Sequence, residues 1–198
     1  MDLNTLINRA KNIIINPRTE WENIVVEDPS PKNTMQEYAV PFLVAVAIAS
    51  LVGDFLFKTR IGYGPGFILG MAVLSFGMIL LTLYLSAIVV NEMAPSFQSE
   101  KNQNKAFQLV VFSYTPAFIA SIVANLFPQV AFINILSLYG IYLFWEGIGI
   151  CMKTPAKNKT AYALVSILLI VGLYIILSFL IGVLLSSMFF SGVISPLK

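Results

Sequence analysis

Glu146 stands out first for its chemistry, because its carboxyl group lies inside an apolar run long enough to cross a membrane. An ionised carboxylate is unfavourable in hydrocarbon, so this side chain should face other helices and be paired or protonated. Tyr114 and Pro116 are expected at a similar depth on the preceding helix, and Pro116 deprives the Phe112 carbonyl of its usual donor. We expect Tyr114, that carbonyl and Glu146 to form one polar cluster, either a hydrogen bond between helices or a proton or cation site.

Asp54 is the second acidic side chain within an apolar run. The pair Gly53-Asp54 matches part of the Gly-x-Gly-Asp motif of intramembrane aspartyl proteases, but that chemistry needs two carboxylates and no second Asp lies in an apolar run. Because Lys58 follows four residues later, an i,i+4 ion pair at the membrane interface is the preferred interpretation. Asn125 and Asn134 flank a short turn near the same interface and are expected to bridge the third and fourth helices.

The residue types exclude several kinds of catalytic and metal site. The chain contains no histidine and a single cysteine, Cys151, which excludes Ser-His dyads, histidine-based metalloprotease motifs and an intrachain disulfide. The glycine-rich run 62–66 lacks the lysine and hydroxyl residue of a phosphate-binding loop and is interpreted as a turn. We therefore expect no catalytic residue, no metal site and no cofactor.

The elements that carry these side chains are five long apolar runs. Hydrophobic residues make up 58% of the chain and charged residues 11%, with a mean hydropathy of +0.82, whereas soluble domains carry about 25% charged residues. Because hydrocarbon satisfies no backbone hydrogen bonds, continuous runs of about 20 apolar residues must span as helices. The sequence predicts an all-α transmembrane bundle with spans at 38–57, 66–90, 106–127, 130–152 and 162–190.

Lysine and arginine residues fall unevenly on the two sides of a chain threaded through five crossings. Nine lie in the N-terminal segment, the second loop and the fourth loop, and the other three, Lys58, Arg60 and Lys198, lie on the other side. Cytoplasmic loops carry the excess of basic residues, so the N-terminus is predicted inside and the C-terminus outside. A bacterial plasma (inner) membrane is the expected location.

The last apolar run, at 162–190, is long for a single crossing. A straight helix of that length would measure about 43 Å, against about 30 Å of hydrocarbon. One tilted span is the preferred interpretation. A break near Gly172 or Gly182 into two half-spans is the alternative, and it would return the C-terminus to the cytoplasm.

Residues 1–37 are predicted to form a cytoplasmic, interfacial segment distinct from the transmembrane domain at 38–198. Apolar residues recur at helical spacing between Leu3 and Ile14, and Asn16-Pro17 ends this helix and begins a second one. Trp21, in the second helix, is suited to the level of the lipid headgroups. These helices either pad the underside of the bundle or bind a partner, and the predicted partner face comprises Arg9, Lys11, Arg18 and Trp21.

Small residues at helical spacing predict close approaches between helices. Ala45, Ala49 and Gly53 recur every fourth position in the first span, Gly66 and Gly70 begin the second, and Gly140 and Gly147 lie in the fourth. A bulky side chain at these positions is expected to destabilise the bundle.

Several short motifs, in this order and spacing, resemble the bacterial branch of the Yip1 domain family over nearly the whole chain. That resemblance implies five transmembrane helices with a cytoplasmic N-terminus. Eukaryotic relatives act in vesicle traffic and bind Rab GTPases, but the long acidic N-terminal domain of those relatives is not seen here, so Rab binding is not expected. The motifs are NPRTEWENI (16–24), YAVP (38–41), FSYTP (112–116), FP (127–128), LYG (138–140) leading to Gly147, and MKTP (152–155).

The sequence and the resemblance together favour a non-catalytic membrane protein that acts through lipids or partner proteins. The expected partners are membrane lipids and proteins at the cytoplasmic N-terminal face, with a homo-oligomer also open and no nucleic acid. A small-solute or ion transporter using Glu146, Tyr114 and the two asparagines is the alternative. A water-accessible cavity reaching Glu146 would favour transport. A tightly packed centre would favour the non-catalytic binding protein, which we call the adaptor.

Overall fold

The computed structural model describes the backbone of residues 2–57 and 64–190, and side chains as far as residue 183. These residues are helical almost throughout, as the apolar runs predict. Two 3₁₀ segments, Ala94–Phe97 and Pro128–Leu138, and one π-helical segment, Thr34–Ala39, extend the α-helices. The α-helices are α1 (Leu3–Ile15), α2 (Pro17–Glu27), α3 (Pro31–Asn33), α4 (Val40–Phe57), α5 (Pro65–Met93), α6 (Gln103–Ser113), α7 (Thr115–Leu126), α8 (Tyr139–Cys151) and α9 (Ala156–Phe190).

The predicted bundle is confirmed, because five helical stretches of the described chain are long and apolar enough to cross a membrane. They are Pro31–Phe57, Pro65–Phe97, Gln103–Leu126, Pro128–Cys151 and Ala156–Val183. The third span lies at the centre, since 56% of its apolar window is buried, against 11% in the fifth. The other spans therefore surround α6 and α7 and turn much of their apolar surface outward.

The fifth span is one unbroken helix of 35 residues, so the predicted alternative of two half-spans is wrong. The helix continues through Gly172 and Gly182, the two positions at which a break was considered. At about 1.5 Å per residue, its length of about 52 Å exceeds the hydrocarbon thickness. The turn predicted at 62–66 lies partly outside the described residues, and α5 begins at its end.

Two prolines shape the helices that form the centre of the bundle. Ahead of Pro41, the Val40 N–H donates to the Met35 carbonyl, which is the i→i−5 bond of a π-helical turn. Pro116 separates α6 from α7 at Tyr114, whose N–H is shared between the carbonyls of Val110 and Val111. Both irregular turns therefore occur where a proline ring removes a backbone donor from the helix.

Helices α1 and α2 form a hairpin that packs against the bundle. Leu6, Ala10 and Ile13 of α1 are buried, and Trp21 and Ile24 of α2 have no exposed surface. All except Ala10 belong to the same apolar core as residues of the membrane spans. The segment 1–37 thus shares a core with the spanning helices.

The hairpin meets two loops at one end of the bundle, which we call the polar end: α1, α2, the loop 98–102 and the loop 152–155. The Glu100 N–H donates to the Met152 carbonyl at 2.9 Å, and the Ser99 hydroxyl donates to Thr154 Oγ1 at 2.9 Å. At the start of α9, Asn158 Nδ2 donates to the Phe97 carbonyl at 2.8 Å. The first two bonds join the two loops to each other, and the third ties the start of α9 to the 3₁₀ segment Ala94–Phe97.

Three of the glycines expected to allow close approaches lie against neighbouring atoms, two of them against backbone and one against side chains. A methyl group on Gly53 would overlap the Asn125 carbonyl oxygen, and one on Gly140 would lie 2.6 Å from the Ser113 carbonyl oxygen. Gly147 is covered by a side chain, described below. The expectation was wrong for Gly66 and Gly70, because a methyl group on either would meet no atom within 4 Å.

Candidate functional site

Glu146 is paired with a lysine of the next helix. Its Oε2 lies 3.0 Å from Nζ of Lys159 on α9, and the two side chains are only 15% and 20% exposed. The lysine ammonium also lies 3.8 Å from the centre of the Trp145 ring. The expected cluster of Glu146 with Tyr114 is therefore wrong, because α8 turns this carboxylate toward α9 and away from the proline kink.

The carbonyl freed by Pro116 has a different partner, which the sequence reasoning missed. The Thr115 hydroxyl donates to the Phe112 carbonyl at 2.7 Å, and the same hydroxyl oxygen lies 2.7 Å from the hydroxyl of Tyr38. Both side chains are buried. A threonine beside a kink proline was the available signal, since Thr hydroxyls commonly bond a carbonyl one turn back.

Tyr114, by contrast, packs as an aromatic side chain. Its ring lies 6.1 Å from that of Phe118, and the residue is half-buried against the apolar core. The structure gives its hydroxyl no hydrogen-bond partner among the described residues. The two members of the expected cluster are therefore separated, Glu146 at the α8–α9 contact and Tyr114 at the kink between α6 and α7.

Trp21 is buried in the protein core, so its ring does not face lipid headgroups as its type had suggested. Its side chain has no exposed surface, and its Nε1–H donates to the Leu143 carbonyl of α8 at 3.1 Å. The ring meets Phe112 edge to face, with centroids 6.2 Å apart. It also covers Gly147, where an added methyl group would lie 2.5 Å from ring carbon Cε2. This contact joins α2 to both α6 and α8.

Arg9 is directed inward and joins the two helices of the hairpin. Its guanidinium lies 2.7 Å from a carboxylate oxygen of Glu27 and 3.4 Å from one of Glu20. The arginine side chain is 11% exposed and that of Glu20 only 6%. Arg9 is thus unavailable as the outward contact that was predicted, and Glu20, a buried acid, was missed because it falls in a short polar helix.

Lys11 and Arg18 remain on the surface of the hairpin, as the predicted partner face requires. Lys11 is exposed on α1. Arg18 lies 3.7 Å from Glu22 one turn later on α2, with both side chains more than half exposed. A pair of this kind adds little to stability. The basic surface of the hairpin is therefore formed by these two side chains and not by Arg9.

The polar residues expected near the opposite end are Asp54, Asn125 and Asn134. Asp54 is half-buried near the end of α4, and its expected partner Lys58 lies outside the described residues. Asn125 is half-buried and Asn134 is exposed, and neither amide side chain has a hydrogen-bond partner within the described ranges. Among the described residues, these two side chains therefore form no hydrogen-bonded bridge between the third and fourth spans, contrary to the expectation. The Asn125 backbone instead meets Gly53.

Asp28, just after α2, ties the hairpin to the start of α6. Its carboxylate lies 2.8 Å from Nζ of Lys105 and accepts a bond of 3.1 Å from Gln108 Nε2. These hydrogen bonds, that from Lys105 first, hold the pKa of Asp28 below its ordinary value. Lys105 also donates to the Val25 carbonyl at 2.8 Å, so the end of α2 is fixed by a cation and an amide.

These arrangements join helices and hold no assembled reactive group. No group of three or more His, Cys, Asp or Glu side chains that could hold a metal ion occurs in the part of the chain that the structure describes. Cys151 is buried. The acids at the α8–α9 contact and in the hairpin each lie beside a cation. The described geometry is that of a polar end held together by ion pairs and hydrogen bonds.

Comparison with known families assigns most of the chain. A model of the Yip1 domain matches residues 11–180, which include the hairpin from Lys11 onward and nearly all of the described part of the five spans. Comparison with curated proteins and with solved structures gave no match. The match confirms the resemblance carried by the motifs from 16–24 to 152–155. The chain is an integral membrane protein, and it belongs to the Yip1 domain family.

Proposed function

We propose that this protein is not an enzyme and acts by binding lipids or partner proteins at the outer surface of the α1–α2 hairpin, in a membrane-organising or trafficking-like role. The observation that carries the proposal is the contrast between the two sides of the hairpin. Trp21 fixes the inner side in the core, while Val26 is 85% exposed and Leu3 is 69% exposed on the outer side. Large exposed apolar side chains on the same two helices as Lys11 and Arg18 suit a protein or membrane contact.

The orientation that goes with this proposal places the polar end in the cytoplasm of a bacterium. The uneven distribution of lysine and arginine supports it, since nine of the 12 basic residues belong to the side that contains the hairpin and its two loops. The membrane is then the plasma (inner) membrane, with the C-terminus outside. Reporter fusions at the two ends test this, and reporters active in the same compartment would overturn it.

The geometry around Glu146 supports a transport function less well than it supports binding at the hairpin. Glu146 lines neither the cavity between α8 and α9 nor the one beside α3. Its carboxylate is occupied by Lys159, and the centre of the bundle is filled by Trp21 and Phe112. A coupled proton or cation site needs a carboxylate that water reaches. The packed centre thus supports the adaptor over the transporter.

Site-specific photo-crosslinking in intact cells tests the docking face. A photoreactive residue at position 26 should crosslink to a discrete protein, to a second copy of this chain or to lipid. The matched control is position 73 on α5, where the natural Val73 is 71% exposed on a membrane span. If positions 26 and 73 give the same products, the hairpin surface has no special contact and the proposal fails.

A further inference from the structure

A groove between α8 and α9 carries an inference separate from the hairpin surface. It encloses about 360 Å³ and is walled almost entirely by apolar side chains. It runs along one side of α8 for about two turns, roughly 10 Å, from Trp145 back to Leu138, the residue before this helix. The apolar wall residues are Leu138, Ile141 and Tyr142 on one side, and Ala163, Leu164 and Ile167 on the other.

Apart from the Tyr142 hydroxyl, the polar side-chain groups of this groove lie at one end. Trp145 Nε1–H donates to Thr160 Oγ1 at 3.2 Å, so the threonine oxygen is an acceptor and its own O–H is left to donate. Lys159 lies over the Trp145 ring and directs one of its three N–H groups to Glu146. The mouth thus offers donors, whereas the wall offers neither donors nor acceptors beyond the hydroxyl of Tyr142.

The charge at this mouth is positive. The Lys159–Glu146 pair is neutral as a unit, and Lys157, two residues earlier, is exposed in the first turn of α9. The amino-terminal end of a long helix adds partial positive charge from its free N–H groups. A ligand with a negative head and an apolar tail therefore matches the groove along its whole length.

We propose that the α8–α9 groove binds one acyl chain of an anionic phospholipid, with the lipid phosphate at the donors of Lys159 and Thr160. A peptide is a poor occupant, because its backbone would find no hydrogen-bond partners along the apolar wall. Two aromatic rings, Tyr142 and Trp145, line the groove on the side of its polar mouth, which is the usual position of such rings at a membrane interface. This lipid site is independent of the hairpin surface.

The tail contact is tested by filling the groove. The full chain is purified in mild detergent, and bound phospholipid is measured by native mass spectrometry. Leu164→Trp places an indole in the groove from a side chain that is 56% exposed, so the fold should be retained. Leu168→Trp is the matched control on the same helix, at a position that is 70% exposed and does not line the groove. The first variant should lose the retained phospholipid and the second should keep it.

The headgroup contact is tested with defined lipids added back to delipidated protein. Phosphatidylglycerol should raise the melting temperature more than phosphatidylcholine or diacylglycerol of the same chains. Lys157→Gln should reduce that preference, and Lys11→Gln on α1 should leave it unchanged. Equal effects of the three lipids, or retention of phospholipid by Leu164→Trp at the level of Leu168→Trp, would overturn the proposal. Neither result bears on the crosslinks at position 26, so the two proposals fail separately.

Discussion

The contact between Trp21 and Gly147 provides the sharpest test of the packed hairpin. We predict that Gly147→Ala destabilises the protein when Trp21 is present and does so much less when Trp21 has been replaced by alanine. The reason is geometric. The methyl group added at position 147 would lie 2.5 Å from Cε2 and 2.7 Å from Cζ2 of the tryptophan, inside van der Waals contact. Without the indole, the same methyl group enters space that has been vacated.

The expected magnitudes follow from opposing contributions. Overpacking a closed site costs about 1–3 kcal/mol, and replacing a helical glycine by alanine returns about 0.5–1 kcal/mol. Truncation of a buried tryptophan costs about 3–5 kcal/mol, including the hydrogen bond to the Leu143 carbonyl. In the Trp21→Ala background, the nearest remaining neighbour is the Leu109 Cδ1 methyl at 2.7 Å, which can move into the vacated volume. The coupling energy between the two substitutions should therefore be about 1–2 kcal/mol.

The assay is reversible unfolding in mild detergent titrated with a denaturing detergent, followed by far-ultraviolet circular dichroism for all four members of the cycle. Gly70→Ala is the matched control, because a methyl group there meets no atom within 4 Å and only the gain in helix propensity remains. Additivity of the two substitutions to within about 0.5 kcal/mol would refute the contact. It would also remove the main reason for treating α1 and α2 as part of the bundle.

Three further predictions concern other contacts. Gly53→Ala should lower the melting temperature in detergent and Gly66→Ala should not, because only the first methyl group would overlap backbone; equal effects would contradict this close approach. Asp28→Asn should cost about 0.5–1 kcal/mol at neutral pH, a modest value for a carboxylate more than half exposed. Because the folded pKa of Asp28 is lowered, this contribution is present above about pH 4 and lost as the pH falls further, so melting curves of variant and wild type should converge in acid. Glu146→Gln and Lys159→Gln should each cost about 1–3 kcal/mol, and the double variant less than their sum; simple additivity would show that the two charges do not interact.

Hydropathy predicted the number and extent of the spans because hydrocarbon demands long apolar helices whatever they pack against. The observed spans exceed the predicted ones mainly at the polar end, where α3 and the start of α9 add polar turns to the first and fifth. The same argument identified 162–190 as too long for a straight crossing but left its course open. The continuous helix through Gly172 reflects helix propensity in an apolar run without a proline or polar turn.

Side-chain partners were harder to predict than the spans. When a helix is apolar on all sides, its sequence does not indicate which side faces which neighbour. Glu146 was assigned to the wrong neighbour for this reason, since depth alone places it near Tyr114 and only the facing of α8 brings it to Lys159. Gly66 and Gly70 look like Gly53 in sequence, yet a methyl group at either meets open space. Small residues permit close approach but do not specify which neighbour approaches.

Trp21 was misplaced for a second reason, which concerns the meaning of an aromatic residue near a membrane. A tryptophan just before a span fits a position among lipid headgroups and a position in the protein core equally well, because its N–H can find a hydrogen-bond acceptor in either place. The hydrogen-bond acceptor of Trp21 is the Leu143 carbonyl, 122 residues away in sequence, so no local sequence pattern predicts this contact. The buried pair of Arg9 with Glu20 depends on the hairpin turn in the same way.

The two ends of the bundle are consequently held together by different forces. At the polar end, ion pairs and hydrogen bonds join α2, α6, α8 and α9, as at Asp28–Lys105 and Glu146–Lys159. At the opposite end, the bare backbone of Gly53 on α4 packs directly against the backbone of α7 at Asn125. Ion pairs respond to pH and salt and packed backbones do not, so acid or salt should loosen the hairpin and loops while leaving the α4–α7 contact closed. The proposed docking surface on the hairpin therefore belongs to the part of the fold whose stability depends on pH and salt.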